Sequence, residues 1–197
     1  MRIIAGKFKG ITLYGPKNKN IRPLKDMVRE SIFNFLVHSK EISFQLEQSN
    51  VLDLYSGTGS FGFECISRQA AEVVFIEKEK EAIKILEKNI EKLKAKNKTK
   101  IFSGDVFHII KNHKALFDWS SDIKFDLIFC DPPFKDMSIN DLIELIIAKD
   151  LLKNNGIIIL HRHKNTKEKL ATHFKVIDKR VYGLSKIIFG KPWSSLS

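Results

Sequence analysis

Residues 50–68 constrain the fold more tightly than any other stretch of this 197-residue chain. Residues 50–55 read as an apolar strand, Ser56-Gly57-Thr58-Gly59-Ser60-Phe61-Gly62 as a glycine turn, and residues 63–68 as a helix. Glycine lets backbone approach a ligand closely, and the first turn of the helix presents N–H groups that have no partner within the helix. Further strand-like runs at 72–76, 100–103, 125–130 and 156–161 alternate with helical patterns, which predicts parallel strands in a doubly wound sheet. Ahead of it, Val28, Ile32, Phe35 and Leu36 mark a helix over 26–37, and residues 2–5 and 10–13 a short hairpin. In residues 80–96, Ile83, Leu86, Ile90 and Leu93 form a core stripe, and residues 174–181 and 186–189 a terminal antiparallel hairpin.

Two ligand chemistries suit such a loop. Gly57, Gly59 and Gly62 satisfy the dinucleotide fingerprint, and Glu77 falls 20 residues after Gly57, near the acid expected to hold a ribose, so an NAD-dependent oxidoreductase is one reading. Asp53 argues for the other. It closes an apolar strand four residues before Gly57, where a pyrophosphate meets an unfavourable carboxylate, whereas S-adenosylmethionine carries a sulfonium and an ammonium group and no phosphate. Glu77, next to Lys78, is placed to accept from the ribose hydroxyls; Asp105 is placed to accept from the adenine amino group, with Val106 and Phe107 against the ring. Tyr55, Ser56, Gly57, Thr58 and Gly59 complete the candidate cofactor site. Each acid alone has a plain structural reading as a loop cap, a helix-start acid or an N-cap. Together they end three different strands.

Asp131-Pro132-Pro133-Phe134 directly follows the run Phe125-Asp126-Leu127-Ile128-Phe129-Cys130. Two prolines end the strand and hold a stiff, extended segment at its carboxyl end, the edge at which open α/β sheets bind ligands. A planar amino group needs acceptors, which the Asp131 carboxylate and the backbone carbonyls supply; Phe134 is placed to stack on the ring bearing that nitrogen. The plain alternative is a Pro-Pro turn with a core phenylalanine. Beside the glycine loop, the motif predicts methyl transfer to an amino nitrogen, with Asp131, Pro132, Pro133 and Phe134 as the catalytic constellation. Cys130 has no part in it, because methylating an amine needs no thiolate.

With these motifs the chain resembles the class I S-adenosylmethionine-dependent methyltransferases, and more closely the RsmD family of small-subunit rRNA guanine-N2 methyltransferases. The family-specific segments are Met1-Arg2-Ile3-Ile4-Ala5-Gly6-Lys7, Arg22-Pro23 and Asp26-Met27-Val28-Arg29-Glu30, joined by Leu52-Asp53-Leu54-Tyr55-Ser56-Gly57-Thr58-Gly59 and the proline motif. The resemblance implies a Rossmann-like α/β fold: a mostly parallel seven-stranded sheet with helices on both faces and an N-terminal β-hairpin extension. It further implies an extension over 1–40, a methyltransferase domain over 41–197, and guanine in 16S rRNA of the small ribosomal subunit as the acceptor. Three departures stand out: Tyr55-Ser56 where Phe-Ala is common, Leu24-Lys25 where threonine is common, and the basic His161-Arg162-His163 where an acidic residue is expected. DNA adenine-N6 or protein amide methylation, and a non-catalytic ribosome-assembly factor that binds S-adenosylmethionine, remain open alternatives.

The net charge of +11 is unevenly spread. Residues 1–40 carry nine basic and two acidic residues, residues 41–77 one and six, and residues 161–197 nine and two. Basic ends around an acidic centre suit an anionic polymer held beside a cationic cofactor. With 28 lysines to six arginines the composition is biased, so this polarity weighs more than the total. Arg2, Lys7 and Lys9 of the hairpin are the candidate RNA contacts, with Arg22 and Arg29 nearer the pocket; for the last two the alternative is pairing with Asp26, Glu30 or another acid. Cys65 and Cys130 read as reduced core residues, and His161 with His163 lacks a third metal ligand. With no long uncharged apolar run and no signal-peptide pattern, the expectation is a cytoplasmic enzyme without metal, favoured as a monomer.

Overall fold

The computed structural model describes residues 1–16, 24–116 and 124–193. Seven strands form one sheet: β1 (Asn50–Leu54), β2 (Glu72–Glu77), β3 (Thr99–Ser103), β4 (Phe125–Cys130), β5 (Leu152–His163), β6 (Phe174–Tyr182) and β7 (Ser185–Pro192). Their order is β3-β2-β1-β4-β5-β7-β6. The first five pair in parallel, and β7 runs antiparallel to both β5 and β6. The chain direction across the sheet reverses between β1 and β4, the switch point at which doubly wound sheets open a ligand crevice.

Among the described residues there are six α-helices: α1 (Asp26–His38), α2 (Ser60–Ser67), α3 (Lys80–Leu93), α4 (Val106–Lys111), α5 (His113–Leu116) and α6 (Ile139–Ala148). Strand side chains alternate between two cores. Val51, Phe75, Leu127, Phe129 and Ile159 pack with α1, α2 and α3, while Leu52, Val74, Ile128, Ile158 and Leu160 pack with α4 and α6. In the first core Phe61 of α2 stacks between Phe33 of α1, at 5.2 Å, and Phe129 of β4, at 4.0 Å. That contact sets α2, and hence the glycine turn ahead of it, against the centre of the sheet.

Several boundaries differ from the sequence expectation for physical reasons. Helix α2 begins at Ser60 rather than residue 63, because Gly59 caps it in a left-handed conformation and Asp53, from the neighbouring strand, accepts the Gly62 N–H at 3.0 Å. Helix α3 stops at Leu93, where Lys94 turns left-handed at φ 51°. Strand β5 starts at Leu152, through a bulge opposite residues 125–127 that the polar Lys153-Asn154-Asn155 does not signal. The N-terminal hairpin forms around one antiparallel bridge, Arg2 with Thr12, with Ile3 N–H donating to Ile11 O at 3.0 Å, Gly10 N–H to Ile3 O at 2.9 Å and Leu13 N–H to Met1 O at 2.8 Å. Other N–H groups of the segment anchor it to α2: Ile4 and Ala5 N–H donate to the buried Glu64 carboxylate at 2.8 and 3.0 Å, and Phe8 N–H to Ser67 Oγ at 2.9 Å. Ile3 and Leu13 of this segment join the core under α1 and α2. Among the described residues no helix is long and apolar enough to cross a membrane.

Candidate active site at the carboxyl edge of the sheet

The strand order lays the candidate residues in a row. Asp105 follows β3, Glu77 ends β2, the glycine loop follows β1, Asp131 follows β4 and His161 lies near the end of β5, on strands about 4.8 Å apart. At the centre of the row the backbone turns sharply, with φ of 58° at Tyr55, 55° at Gly57 and 83° at Gly59. Tyr55 is the non-glycine in this set, held in a conformation that costs of order 1–3 kcal/mol and persists where surrounding structure enforces it. At Gly59 the left-handed φ is matched by close packing: a Cβ there meets Leu86 Cδ1 at 2.4 Å and Phe63 Cε2 at 2.6 Å.

The two acids flanking this loop tie it down. Asp53, near the end of β1, is 1% exposed, and its Oδ2 accepts the Gly62 N–H of α2 at 3.0 Å. Burial pushes its carboxyl well above the usual carboxylate range against the opposing Gly62 N–H, and the negative charges of Asp131 and Glu77 add to the rise. A bound cation nearby offsets that cost. Glu77 Oε2 accepts the Gly57 N–H at 2.7 Å, and Oε1 the N–H of Lys78 at 2.8 Å and of Glu79 at 2.9 Å. Three of about four carboxylate acceptor positions are thus filled by backbone, which leaves about one for a ribose hydroxyl unless Gly57 lets go. Asp105 is an exposed N-cap whose Oδ1 takes the His108 N–H at 3.1 Å; Val106 is buried and Phe107 half-buried beside it. The loop also holds a mismatch that a ligand can satisfy: Ser56 Oγ is buried with no hydrogen-bond partner among the described residues. Thr58 is buried too, and its carbonyl accepts from Asn89, which also bonds both backbone groups of Tyr14.

The proline motif leaves the sheet after Asp131, whose N–H still bonds the Leu54 carbonyl at 3.3 Å. Pro132 is buried, Pro133 exposed and Phe134 half-buried. Burial first, then the charges of Asp53 and Asp131, pushes the Cys130 thiol far up, so it is a thiol and no nucleophile. The basic stretch of β5, for which the sequence suggested no role, closes around the motif. His161 Nδ1 lies 2.7 Å from Asp131 Oδ1. Arg162, 1% exposed, donates to the Pro133 carbonyl at 3.4 Å and to the Asp136 carbonyl, and faces Glu168, which Lys186 also pairs with at 2.6 Å. The Phe134 ring is edge-on to His161 at 5.6 Å and near His163 at 5.4 Å. No local signal in the sequence joins residues 29 or 30 positions apart; the basic character of His161-Arg162-His163 at a strand end was the available clue.

The candidate RNA contacts divide. Arg2, Lys7 and Lys9 are exposed. Lys7 and Lys9 belong to a turn whose Lys7 N–H bonds Ser67 O, at the far end of α2 from the glycine loop. Arg29 is 1% exposed and spent inside the protein, donating to Arg2 O at 2.5 Å and Asp26 Oδ1 at 3.0 Å, so a phosphate contact is not open to it. Arg22 lies outside the described residues.

Comparison with known proteins places this geometry in a family. The family model described as Conserved hypothetical protein 95 matches residues 1–191. Ribosomal RNA small subunit methyltransferase D of Buchnera aphidicola subsp. Baizongia pistaciae is 34% identical over 87% of this chain and 80% of its own length. The protein of the same name in Haemophilus influenzae is 32% identical over 84% and 80%. A solved structure from Escherichia coli, described as a candidate methyltransferase, superposes with a TM-score of 0.80 at 23% identity over 99% of both chains, and so shares the fold. A seven-stranded Rossmann-like sheet, the glycine loop after β1, the proline motif after β4 and these matches over most of the chain lead to one assignment: the chain belongs to the RsmD family.

Proposed function

We propose that this protein transfers the methyl group of S-adenosylmethionine to the exocyclic N2 of a guanine in 16S rRNA of the small ribosomal subunit. The observation that carries the reading is Asp131, held at the carboxyl edge beside the glycine loop, with the buried Pro132 next to it. The rRNA class is supported by the names of the relatives, and guanine by the family-specific N-terminal segments. The residues around the loop fit the donor: Ser56 Oγ offers an unused hydroxyl, Glu77 and Asp105 keep acceptor capacity, and buried Asp53 gains from a nearby cation. When bound, S-adenosylmethionine supplies an electrophilic methyl on a sulfonium.

The chain's own residues then supply position and charge. The guanine amine is a poor nucleophile because its lone pair is delocalised into the ring, so alignment provides much of the acceleration. Asp131 and the Pro132 carbonyl accept the two amino hydrogens, turning the lone pair toward the methyl carbon. No hydrogen bond reaches that carbonyl from the other described residues. As the N–C bond forms and the C–S bond breaks, positive charge grows on nitrogen and strengthens both contacts. The surplus proton leaves to Asp131 or to solvent, and no covalent enzyme intermediate forms. A paired base must leave its stack to reach this edge, so the target is a flipped or single-stranded guanine.

The test is incubation with labelled S-adenosylmethionine and unmodified small subunits, followed by digestion of the RNA and identification of the labelled nucleoside. N2-methylguanosine is expected; label on another base or on protein, or confirmed cofactor binding with no product, overturns the acceptor assignment.

A further inference from the structure

We infer that His161 is a positioning residue for Asp131, an inference that rests on the methyl-transfer reading. Cys130 pairs with Leu160 across the parallel β4–β5 ladder, so Asp131 and His161 occupy the next rung. On its other side β5 pairs with β7, whose first residue is Ser185. The imidazole spans that width: Nδ1 is 2.7 Å from Asp131 Oδ1, and Nε2 is 2.9 Å from Ser185 Oγ. His161 is 7% exposed, and the Phe134 ring stands edge-on to it.

The chemistry of the three groups fixes the direction of the bonds. A carboxylate has no hydrogen to give, so Nδ1 carries one and donates it to Oδ1. In the neutral ring Nε2 then accepts, and the Ser185 hydroxyl, free to rotate, donates to it; the hydrogen bond at one nitrogen thereby sets the tautomer at the other. Carboxylate torsion is broad and roughly two-fold, so an aspartate without such a partner has no fixed plane. Here one oxygen is pinned and the other, Oδ2, has no hydrogen-bond partner among the described residues, while the Asp131 side chain remains 23% exposed. Oδ2 is therefore the oxygen presented to the amine, and His161 determines where it points. His161 itself does not touch the reacting atoms.

Single-turnover rates of His161→Phe and His161→Asn on unmodified small subunits, at saturating S-adenosylmethionine, test this. Loss of the pinning bond in His161→Phe is expected to lower the rate about 10²-fold, the effect of an ångström-scale misplacement, with cofactor affinity and subunit KM within about twofold of wild type. His161→Asn, whose amide N–H can take the place of Nδ1–H, is expected to recover to within about tenfold of wild type. A His161→Phe rate within about threefold of wild type, or a loss confined to KM, overturns the inference. A ¹⁵N spectrum of the histidine rings in the wild-type protein adds a readout independent of turnover: hydrogen on Nδ1 is expected, and a neutral ring carrying it only on Nε2 overturns the pairing. A wild-type protein that methylates nothing sinks the function reading instead, and the spectrum still decides the pairing.

Discussion

At the scale of single residues, Asp131 and Asp53 show how burial sorts one side-chain type into different tasks. Asp131 is partly exposed and keeps an unengaged oxygen at the crevice. Asp131→Ala is expected to lower turnover by roughly 10²–10³-fold or more while cofactor affinity stays near wild type, because it removes an interaction that strengthens in the transition state. Near-normal turnover with bound cofactor removes Asp131 from the mechanism. Asp53 is buried, and its raised folded-state pKa carries a definite sign. A carboxyl that holds its proton more tightly when folded favours the native state at low pH, and that contribution is lost as pH rises from about 4 through the folded value. Asp53→Asn keeps an oxygen for the Gly62 N–H and removes the charge. Without ligand, the variant is expected to melt several degrees above wild type at neutral pH, with the difference vanishing toward pH 4, and to bind S-adenosylmethionine more weakly. A lower melting temperature at neutral pH shows that the charge stabilises the loop.

At the scale of elements, what was legible is what local pattern can encode. Val73-Val74-Phe75-Ile76 and Phe125 to Cys130 announce themselves as buried strands, and both terminal strands, β6 and β7, contain the runs expected at 174–181 and 186–189. The early start of α2 was not legible, because its N-cap is a left-handed Gly59 with no capping side chain, and the Gly62 N–H is taken instead by Asp53 of β1. Nor was the anchoring of the N-terminal hairpin, whose Ile4, Ala5 and Phe8 N–H groups are taken by Glu64 and Ser67, about 60 residues away. The element with the least local signal is the end of β5, where Arg162, Glu168 and Lys186 form a buried charged cluster behind the proline motif. Burial raises the Glu168 pKa, but hydrogen bonds from Lys186 and Thr166 outweigh it and hold the group below its ordinary value. Its contribution to stability is therefore present at neutral pH and lost as pH falls through the carboxylate range. Glu168→Gln leaves Arg162 and Lys186 buried without a counter-charge, and is expected to cost about 3–5 kcal/mol in denaturant unfolding at neutral pH. It also loosens the Pro133 and Asp136 carbonyls that Arg162 holds. A cost below about 1 kcal/mol marks the cluster as solvated in solution.

At the scale of the whole molecule, charge separates along the axis of α2. The amino end of that helix carries the glycine loop and its acids, and its carboxyl end receives the basic N-terminal turn. Eight helical residues place the two about 12 Å apart. Lys7 and Lys9 thus sit at the opposite end of α2 from the glycine loop, and on the proposed function their contacts are with phosphates rather than with the target base. Such contacts raise affinity by releasing counterions and leave the geometry of the amine unchanged. The paired substitution Lys7→Ala, Lys9→Ala is therefore expected to raise the subunit KM several-fold at physiological salt and leave kcat at saturation unchanged. The slope of log affinity against log salt is expected to shrink by about 1–2, close to one counterion per lysine. An unchanged slope removes both lysines from the RNA interface. A fall in kcat at the wild-type slope instead ties the turn to the crevice through Ser67 and Glu64, by way of the helix whose first turn builds the cofactor loop.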